Sequence, residues 1–254
     1  MKMNARQTPH FHKLKNIIPE DELIGMIERD IIPHVEEFQE WRKAAFEKIP
    51  QALLCQVFDE AVEQNPITLH KFLGQWGNLS VESVSKICLI AKHIDPKGVF
   101  EFGSFNGMTT LQIALNTSYH CTSYTLDLPP DVDISGMSEI DTYMFRKHYK
   151  PNVPKRYIDT PVEHKIDQLY SDSRDFDFSK YYGKIDLVLI DGGHDYETKK
   201  SDTENALKLI GDQGVILWDN YDDVGCPYVT KYLSELLLPM HHLKGTNLVI
   251  YRKS

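Results

Sequence analysis

Three oxygen donors stand where two apolar runs end. In the stretch from Lys184 to Asp223, Ile185 to Ile190 leads into Asp191, and Val215 to Trp218 leads into Asp219 and Asn220. Carboxylate and amide oxygens suit a hard divalent cation such as Mg²⁺, which keeps water or substrate oxygens in its remaining positions. The alternative is that Asp191 faces a cofactor while Asp219 and Asn220 shape a turn; Asp222 and Asp223 lie near enough in sequence to serve as substitutes. His194 follows in a Gly-Gly-His-Asp-Tyr loop, and an imidazole titrating near neutrality can take a proton from a hydroxyl. His241 and His242 are rival bases without a motif around them. Trp218 and Tyr221 flank the donors, either as core or as an apolar wall for a substrate ring.

A second group of residues lies upstream. The loop Glu101-Phe102-Gly103-Ser104-Phe105-Asn106-Gly107 lets backbone approach a ligand and ends at a helix start. It lacks the G-x-G-x-x-G spacing of dinucleotide sites, and it has no P-loop lysine. Asp127 closes the next apolar run at the distance where an acid can accept hydrogen bonds from ribose hydroxyls. Asp172-Ser173 closes a third run and Asp191 a fourth, so successive strands each deliver an acid at one edge.

The elements that must position these residues alternate strand and helix. Gly98 to Phe102, Thr122 to Leu126, Glu163 to Tyr170, Ile185 to Ile190 and Val215 to Trp218 read as strands; the two flanking Asp191 are β-branched and bounded by Gly and Asp, as in a buried parallel sheet. Helices are expected over Leu79 to His93 with Ser80 as cap, over Met108 to Leu115, between the strands flanking Asp191, and over Tyr228 to Leu238. Two last strands near His241 to Leu243 and Leu248 to Tyr251 share so short a loop that they must be antiparallel. The result is an α/β fold, a mostly parallel sheet with helices on both faces, in a main domain spanning 79–254.

Residues 1–78 read as a helical N-terminal appendage after a polar leader. Leu23, Ile24, Ile27, Ile31, Val35 and Phe38 fall at helical spacing, and Ala52, Leu53, Val57, Phe58 and Ala61 repeat it, with Pro33 and Pro50 as breaks. This region is expected to pack on the main domain or on a second subunit as a homo-oligomer contact. Residues 128–164, with Asp131, Asp133 and Gly136 before a cluster of Tyr143, Phe145, Arg146, His148 and Tyr149, form an insertion that serves as a lid or remains a surface excursion.

With 254 residues the chain can bury a sizeable core, and its net charge of -9 argues against a nucleic-acid partner. Cys55, Cys88, Cys121 and Cys226 are scattered without metal or disulfide spacing, which fits a reducing cytoplasmic setting. The N-terminus carries no run of signal-peptide type, and no stretch approaches the ~20 apolar residues of a membrane span.

EFGSFNG, the strand-ending Asp127, IDLVLIDGGHDYE and GVILWDNY together resemble a class I S-adenosylmethionine-dependent methyltransferase over roughly residues 80 to 254. Within that superfamily the chain is similar to the bacterial macrolide-sugar and catechol-type O-methyltransferases of methyltransferase family 24. The resemblance implies a Rossmann-like seven-stranded sheet whose last strand is antiparallel. It also implies that Glu101, Gly103, Ser104, Asn106 and Gly107 border the methionine part of the cofactor. Asp127 would hold the ribose, Asp172 and Ser173 the adenine, and Asp191 would face the cofactor as well as the metal. Many members have glycine where Phe105 stands, which makes the course of this loop a point of departure. Asp191, Asp219 and Asn220 look like the Mg²⁺ site of catechol-type enzymes, whose pattern is Asp followed by Asp-Asn. The expected activity is O-methylation of a small-molecule acceptor assisted by a divalent cation, with His194 as base. The rivals are a catalytically idle cofactor-binding subunit and an NAD or nucleotide-sugar enzyme on a similar sheet.

Overall fold

The computed structural model describes residues 5–7, 11–12, 15–16, 18–32, 35–75, 77–133, 137, 141–142, 145–146, 154–223 and 225–253. Eight strands form one sheet: β1 (Gln51–Ala52), β2 (Gly98–Phe102), β3 (Thr122–Asp127), β4 (Ile166–Tyr170), β5 (Ile185–Ile190), β6 (Ile210–Trp218), β7 (Met240–Leu243) and β8 (Val249–Arg252). Their spatial order is β1-β7-β8-β6-β5-β2-β3-β4. Only β8 runs against its neighbours, antiparallel to both β6 and β7. The order reverses between β5 and β2, where open α/β sheets bind ligands at the carboxyl ends of the strands.

The sheet's own pleat builds two cores, because successive residues point to opposite faces. Val188, Ile190, Ile216, Trp218, Phe100 and Phe102 face one side. There they meet α2 (Val35–Lys48), α6 (Tyr196–Leu209) and α7 (Pro227–Glu235) through Ala45, Ile49, Ala206, Leu209, Val229 and Leu233. Leu187, Leu189, Val215, Leu217 and Val99 face the other side. They pack on α4 (Val81–Ile94) and α5 (Met108–Leu115) through Val84, Ile87, Cys88, Met108 and Ile113. Ser80 caps α4 by accepting from the Ser83 N–H at 3.1 Å, as its sequence position predicts.

The N-terminal region differs from a run of helices. α1 (Glu20–Met26) and α2 are helical, but Gln51–Ala52 is an eighth strand at the sheet edge, followed by the single turn α3 (Leu54–Val57). The reason is local. Pro50 lacks an N–H for a helix, and its carbonyl accepts from His242 N–H at 2.9 Å while that of Ala52 accepts from Lys244 N–H at 3.0 Å. The edge of β7 thus claims the backbone that apolar spacing alone assigns to a helix, and the sheet has one strand more than the seven expected. Further along, Gln112 and Asn116 of α5 clamp the backbone of His70 and Thr68. Even the leader contributes, since Ala5, Phe11 and Ile18 are buried with Leu23, Met26 and Ile27. Among the described residues no helix is long and apolar enough to cross a membrane. Pro33, Gly136, Tyr143, His148 and Tyr149 lie outside the described residues.

Backbone hydrogen bonds continue past the strand ends and set the edge in register. Gly103 N–H donates to Leu126 O at 2.8 Å, Asp191 N–H to Phe102 O at 2.9 Å, Asp219 N–H to Ile190 O at 3.1 Å, and Ser171 N–H to Asp127 O at 3.0 Å. Gly103 is at φ 89°, and a Cβ there would stand 2.4 Å from Asp191 O. Gly103→Ala is therefore expected to destabilise the fold by at least about 2 kcal/mol, read by urea unfolding.

Candidate active site

The aligned edge opens into a cavity of ≈ 640 Å³. Its floor and rim include Gly103, Asp127, Asp172, Ser173, Asp191, His194, Asp219 and Asn220, residues drawn from the ends of five strands. Leu126, Leu128, Val132, Met137 and Phe145 give it an apolar wall.

Four of the residues implied by resemblance lie beneath this surface. Glu101 is 2 % exposed and accepts hydrogen bonds from the hydroxyls of Thr110 and Thr125, the latter at 2.5 Å. Burial pushes its carboxyl up to about 7 against the lowering effect of those two hydroxyls. Ser104 Oγ lies 2.8 Å from Thr125 Oγ1, to which it donates because the Thr125 proton goes to Glu101, and it accepts from Gln168 Nε2 at 3.1 Å. Asn106 Oδ1 accepts from the Met108 N–H at 3.0 Å and so starts α5. Gly107, at φ 74°, lies under the ring of Tyr157, where a Cβ would meet the ring at 2.7 Å. These side chains shape the glycine loop rather than line the cavity.

Phe105 takes the left-handed conformation at φ 45°, in the loop where glycine is usual for such geometry. Lys155 holds the strained turn, donating from Nζ to Phe105 O and pairing with the Asp127 carboxylate at 2.7 Å. Burial raises the Asp127 carboxyl and Lys155 opposes that. Asp172 is bound by Arg174, which lowers its pKa, with the closest contact 2.6 Å.

His194 is held from two sides. Its backbone N–H donates to Asp141 Oδ2 at 3.2 Å, its Nδ1 meets Asp141 Oδ1 at 2.5 Å, and its Nε2 lies 3.1 Å from Asn220 Oδ1. Burial alone would lower the imidazole pKa, but Cys226 and the Asp141 carboxylate raise it well above the usual value. Burial pushes the Cys226 thiol itself upward, keeping it neutral, so Asp141 is the partner that charges the ring. Asp191 and Asp219 stand on adjacent strands. Burial and then Asp219 raise the Asp191 pKa well above the carboxylate range, and burial with Asp223 pushes Asp219 up to about 6.

The other candidates are placed elsewhere. Trp218 is buried core, its indole N–H donating to Thr203 Oγ1 at 2.9 Å. Tyr221 is buried against Phe46 and His242. His242 Nε2 meets Thr246 O at 2.6 Å, so the imidazole is tied to its own hairpin. Asp222 pairs with Arg42 of α2, while Asp223 lines the cavity. Sequence reasoning missed Asp141 and Lys155, because nothing in the insertion's composition marks them. It also missed Lys199 and Asp202, which share the buried face of α6 with Thr203 and Ala206. Two charges at apolar helical positions were a readable signal.

The sheet order and the edge-on cavity define a Rossmann-like α/β fold. Residues 100–221 match the family model described as a methyltransferase domain. Among solved structures, the SAH-bound methyltransferase PaMTH1 of Podospora anserina is 16 % identical at a TM-score of 0.50, covering 86 % of this chain and 95 % of that one. The O-methyltransferase TomG of Streptomyces achromogenes, in complex with SAM, is 14 % identical at a TM-score of 0.49 with full coverage of both chains. An O-methyltransferase of Bacillus cereus in complex with SAH is 15 % identical at 0.48, covering 98 % of this chain and 99 % of that one. At these identities the first likeness establishes the fold. No curated protein matches the chain.

Two titrations follow. The folded His194 pKa is raised, so its contribution to stability is complete below the unfolded value near 6.5 and is lost as pH rises through the folded value. ¹³C-histidine NMR should place His194 above that value, and Asp141→Asn should move it down. The Asp219 carboxyl, also raised, favours the folded state at low pH and loses that contribution as pH climbs from about 4 through about 6. Asp219→Asn should therefore be more stable than the wild type by about 1–3 kcal/mol at pH 8 in chelator, and equal to it at pH 4, by urea unfolding.

Proposed function

We propose that the protein transfers a methyl group from S-adenosylmethionine to a hydroxyl oxygen of a small molecule. The observation that carries this reading is the imidazole of His194 at the cavity wall, fixed through Nδ1 by Asp141 with Nε2 turned toward Asn220.

The residues fit the cofactor. Asp127 ends β3 with its carboxylate at the cavity, the Gly103 turn leaves the floor free of a side chain, and Leu126, Leu128 and Val132 offer a flat apolar wall for a base. When bound, S-adenosylmethionine would supply an electrophilic methyl carbon and a neutral thioether as leaving group. Asp127, together with Lys155, recognises the ribose hydroxyls, and Asp141 keeps the Nδ1–H of His194 oriented. Nε2 receives the proton of the acceptor hydroxyl once His194 is in its neutral form. Because Asp141 favours the imidazolium, methyl transfer should speed up as pH rises through the His194 pKa.

A divalent cation is the second reading, favoured by one observation: half-buried Asp191 and buried Asp219 stand at the ends of adjacent strands, and their ionised forms repel each other. These two would hold the ion, with Asn220 as third donor if its oxygen is released from His194; a bound cation would acidify the acceptor hydroxyl. Among the described residues no group of three or more His, Cys, Asp or Glu is disposed to hold a metal, so the ion would depend on the amide and on acceptor oxygens.

The test begins with S-adenosylhomocysteine binding by calorimetry, followed by S-adenosylhomocysteine release from S-adenosylmethionine across a panel of catechols, sugars and phenolic acceptors. His194→Ala should lower kcat by about 100- to 10,000-fold and leave cofactor affinity in place. An unchanged kcat in His194→Ala, or a loss explained wholly by weakened cofactor binding, would remove the base from the account. Turnover unchanged by chelation and by Asp219→Ala would remove the metal.

A further inference from the structure

The loop after β6 keeps its shape through contacts from distant parts of the chain. Asn220 and Asp222 sit at φ 65° and 56°, left-handed values that are strained for a residue with a Cβ. Three kinds of contact oppose that strain. Tyr221 N–H donates to Asn247 O at 3.0 Å, and Asp222 N–H donates to Thr230 Oγ1 of α7 at 2.9 Å. The Tyr221 ring packs on Phe46 of α2 and on His242, with ring centroids 6.3 and 4.9 Å away. The Asp222 carboxylate accepts from both Nε and Nη2 of Arg42, the second at 2.9 Å.

Arg42 is oriented by its own helix. Its guanidinium carbon lies 5.2 Å from the ring centroid of Phe46 and 5.9 Å from that of Phe38. A planar fork held against two rings meets a carboxylate in a fixed orientation, which a lysine does not reproduce. The side chains of Arg42 and Asp222 are 33 % and 23 % exposed, so water screens the pair only in part. Arg42 stands apart from the cavity lining, whereas Asn220 belongs to it. Two residues before Asp222, the Asn220 amide places Oδ1 3.1 Å from His194 Nε2. Asp141 fixes the other ring nitrogen, so the direction of Nε2 depends on where this loop holds Asn220.

We propose that Arg42 is a positioning residue for His194: through Asp222 it fixes the left-handed turn that presents Asn220 Oδ1 to Nε2. Its bearing on methyl transfer rests on the reading of His194 as the base, whereas the contact itself does not.

Solvent exchange of the Nε2 proton reads the contact without turnover. In protein labelled with ¹⁵N-histidine, the His194 signal is identified by its absence from His194→Ala. Arg42→Met keeps an apolar stem against Phe38 and Phe46, and it should speed that exchange at least about 10-fold, the scale of one lost hydrogen bond. Asn220→Ala should match it, and combining the two should add nothing, because both remove the same contact. Affinity for S-adenosylhomocysteine by calorimetry should stay within about 2-fold of the wild type in Arg42→Met. Lys48→Met is the control for general loosening of α2, since it removes the 2.6 Å bond from Lys48 Nζ to Ser234 O and should leave the exchange unchanged. Unchanged exchange in Arg42→Met, equal acceleration in Lys48→Met, additive effects in the double variant, or a parallel fall in S-adenosylhomocysteine affinity would each overturn the proposal. Should Arg42→Met fail to fold by circular dichroism, Asp222→Asn breaks the pair from the other side and is judged by the same outcomes. Unchanged turnover in His194→Ala would remove the base and leave the link from Arg42 to Asn220 standing, so the two failures are separable.

Discussion

The constraint on which the structure depends is charge balance at one edge of the sheet. Parallel strands joined by helical crossovers send their carboxyl ends to the same side, and here those ends carry Asp127, Asp191 and Asp219, with Asp172 just beyond. Burying several carboxylates together is unfavourable unless each finds a donor or a cation. The chain supplies most of these from outside the strands: Lys155 for Asp127, Arg174 for Asp172 and Arg42 for Asp222. His194 serves Asp141 in the same way. What remains is Asp191, Asp219 and Asp202 around the buried ammonium of Lys199. Asp191 and Asp219 line the cavity, where a ligand can reach them.

The same partners stabilise an irregular backbone. Phe105, Asn220 and Asp222 all adopt left-handed φ values of 45°, 65° and 56° without being glycine. Such positions persist only where neighbours over-determine them. Lys155 fixes the carbonyl of Phe105, and Asp222 is gripped by Arg42 and by its N–H bond to Thr230 Oγ1 at 2.9 Å. Between these two residues the buried ring of Tyr221 lies against Phe46 of α2. α2 therefore reaches the loop that presents Asp219 and Asn220, and links its own packing to the geometry of the site.

Strand positions were legible because burial on both faces leaves an unmistakable apolar run. Ile185 to Ile190 and Met108 to Leu115 coincide with their elements, and the acids that close the strands follow directly from the topology. The eighth strand was not legible, since Gln51 and Ala52 are held by backbone bonds to β7 and carry no alternating pattern. The site was legible in its strand-borne half. His194 stood out by its loop, but Asp141 and Lys155, distant in sequence and set in a segment without periodicity, become visible only when the chain is folded. Arg42 belongs to the same class, 180 residues from the aspartate it holds. Glu101 illustrates the opposite case, a residue correctly located at a strand end whose carboxylate is consumed by Thr110 and Thr125 beneath the floor.

These observations divide the site by origin. The sheet contributes the acids, whose spacing is set by strand separation and cannot change without changing the fold. The insertion contributes Asp141 and Lys155, and α2 contributes Arg42, from outside the strands. Lys155 joins two of the sheet's features, the Asp127 carboxylate and the Phe105 carbonyl, so the shape of the glycine loop and the charge of the acid beside it are set by one side chain. Asp141 likewise binds both the backbone and the ring of His194, fixing the loop and the imidazole together. A row of carboxylates fixed by the strands therefore has its protonation and geometry governed by residues that lie outside them.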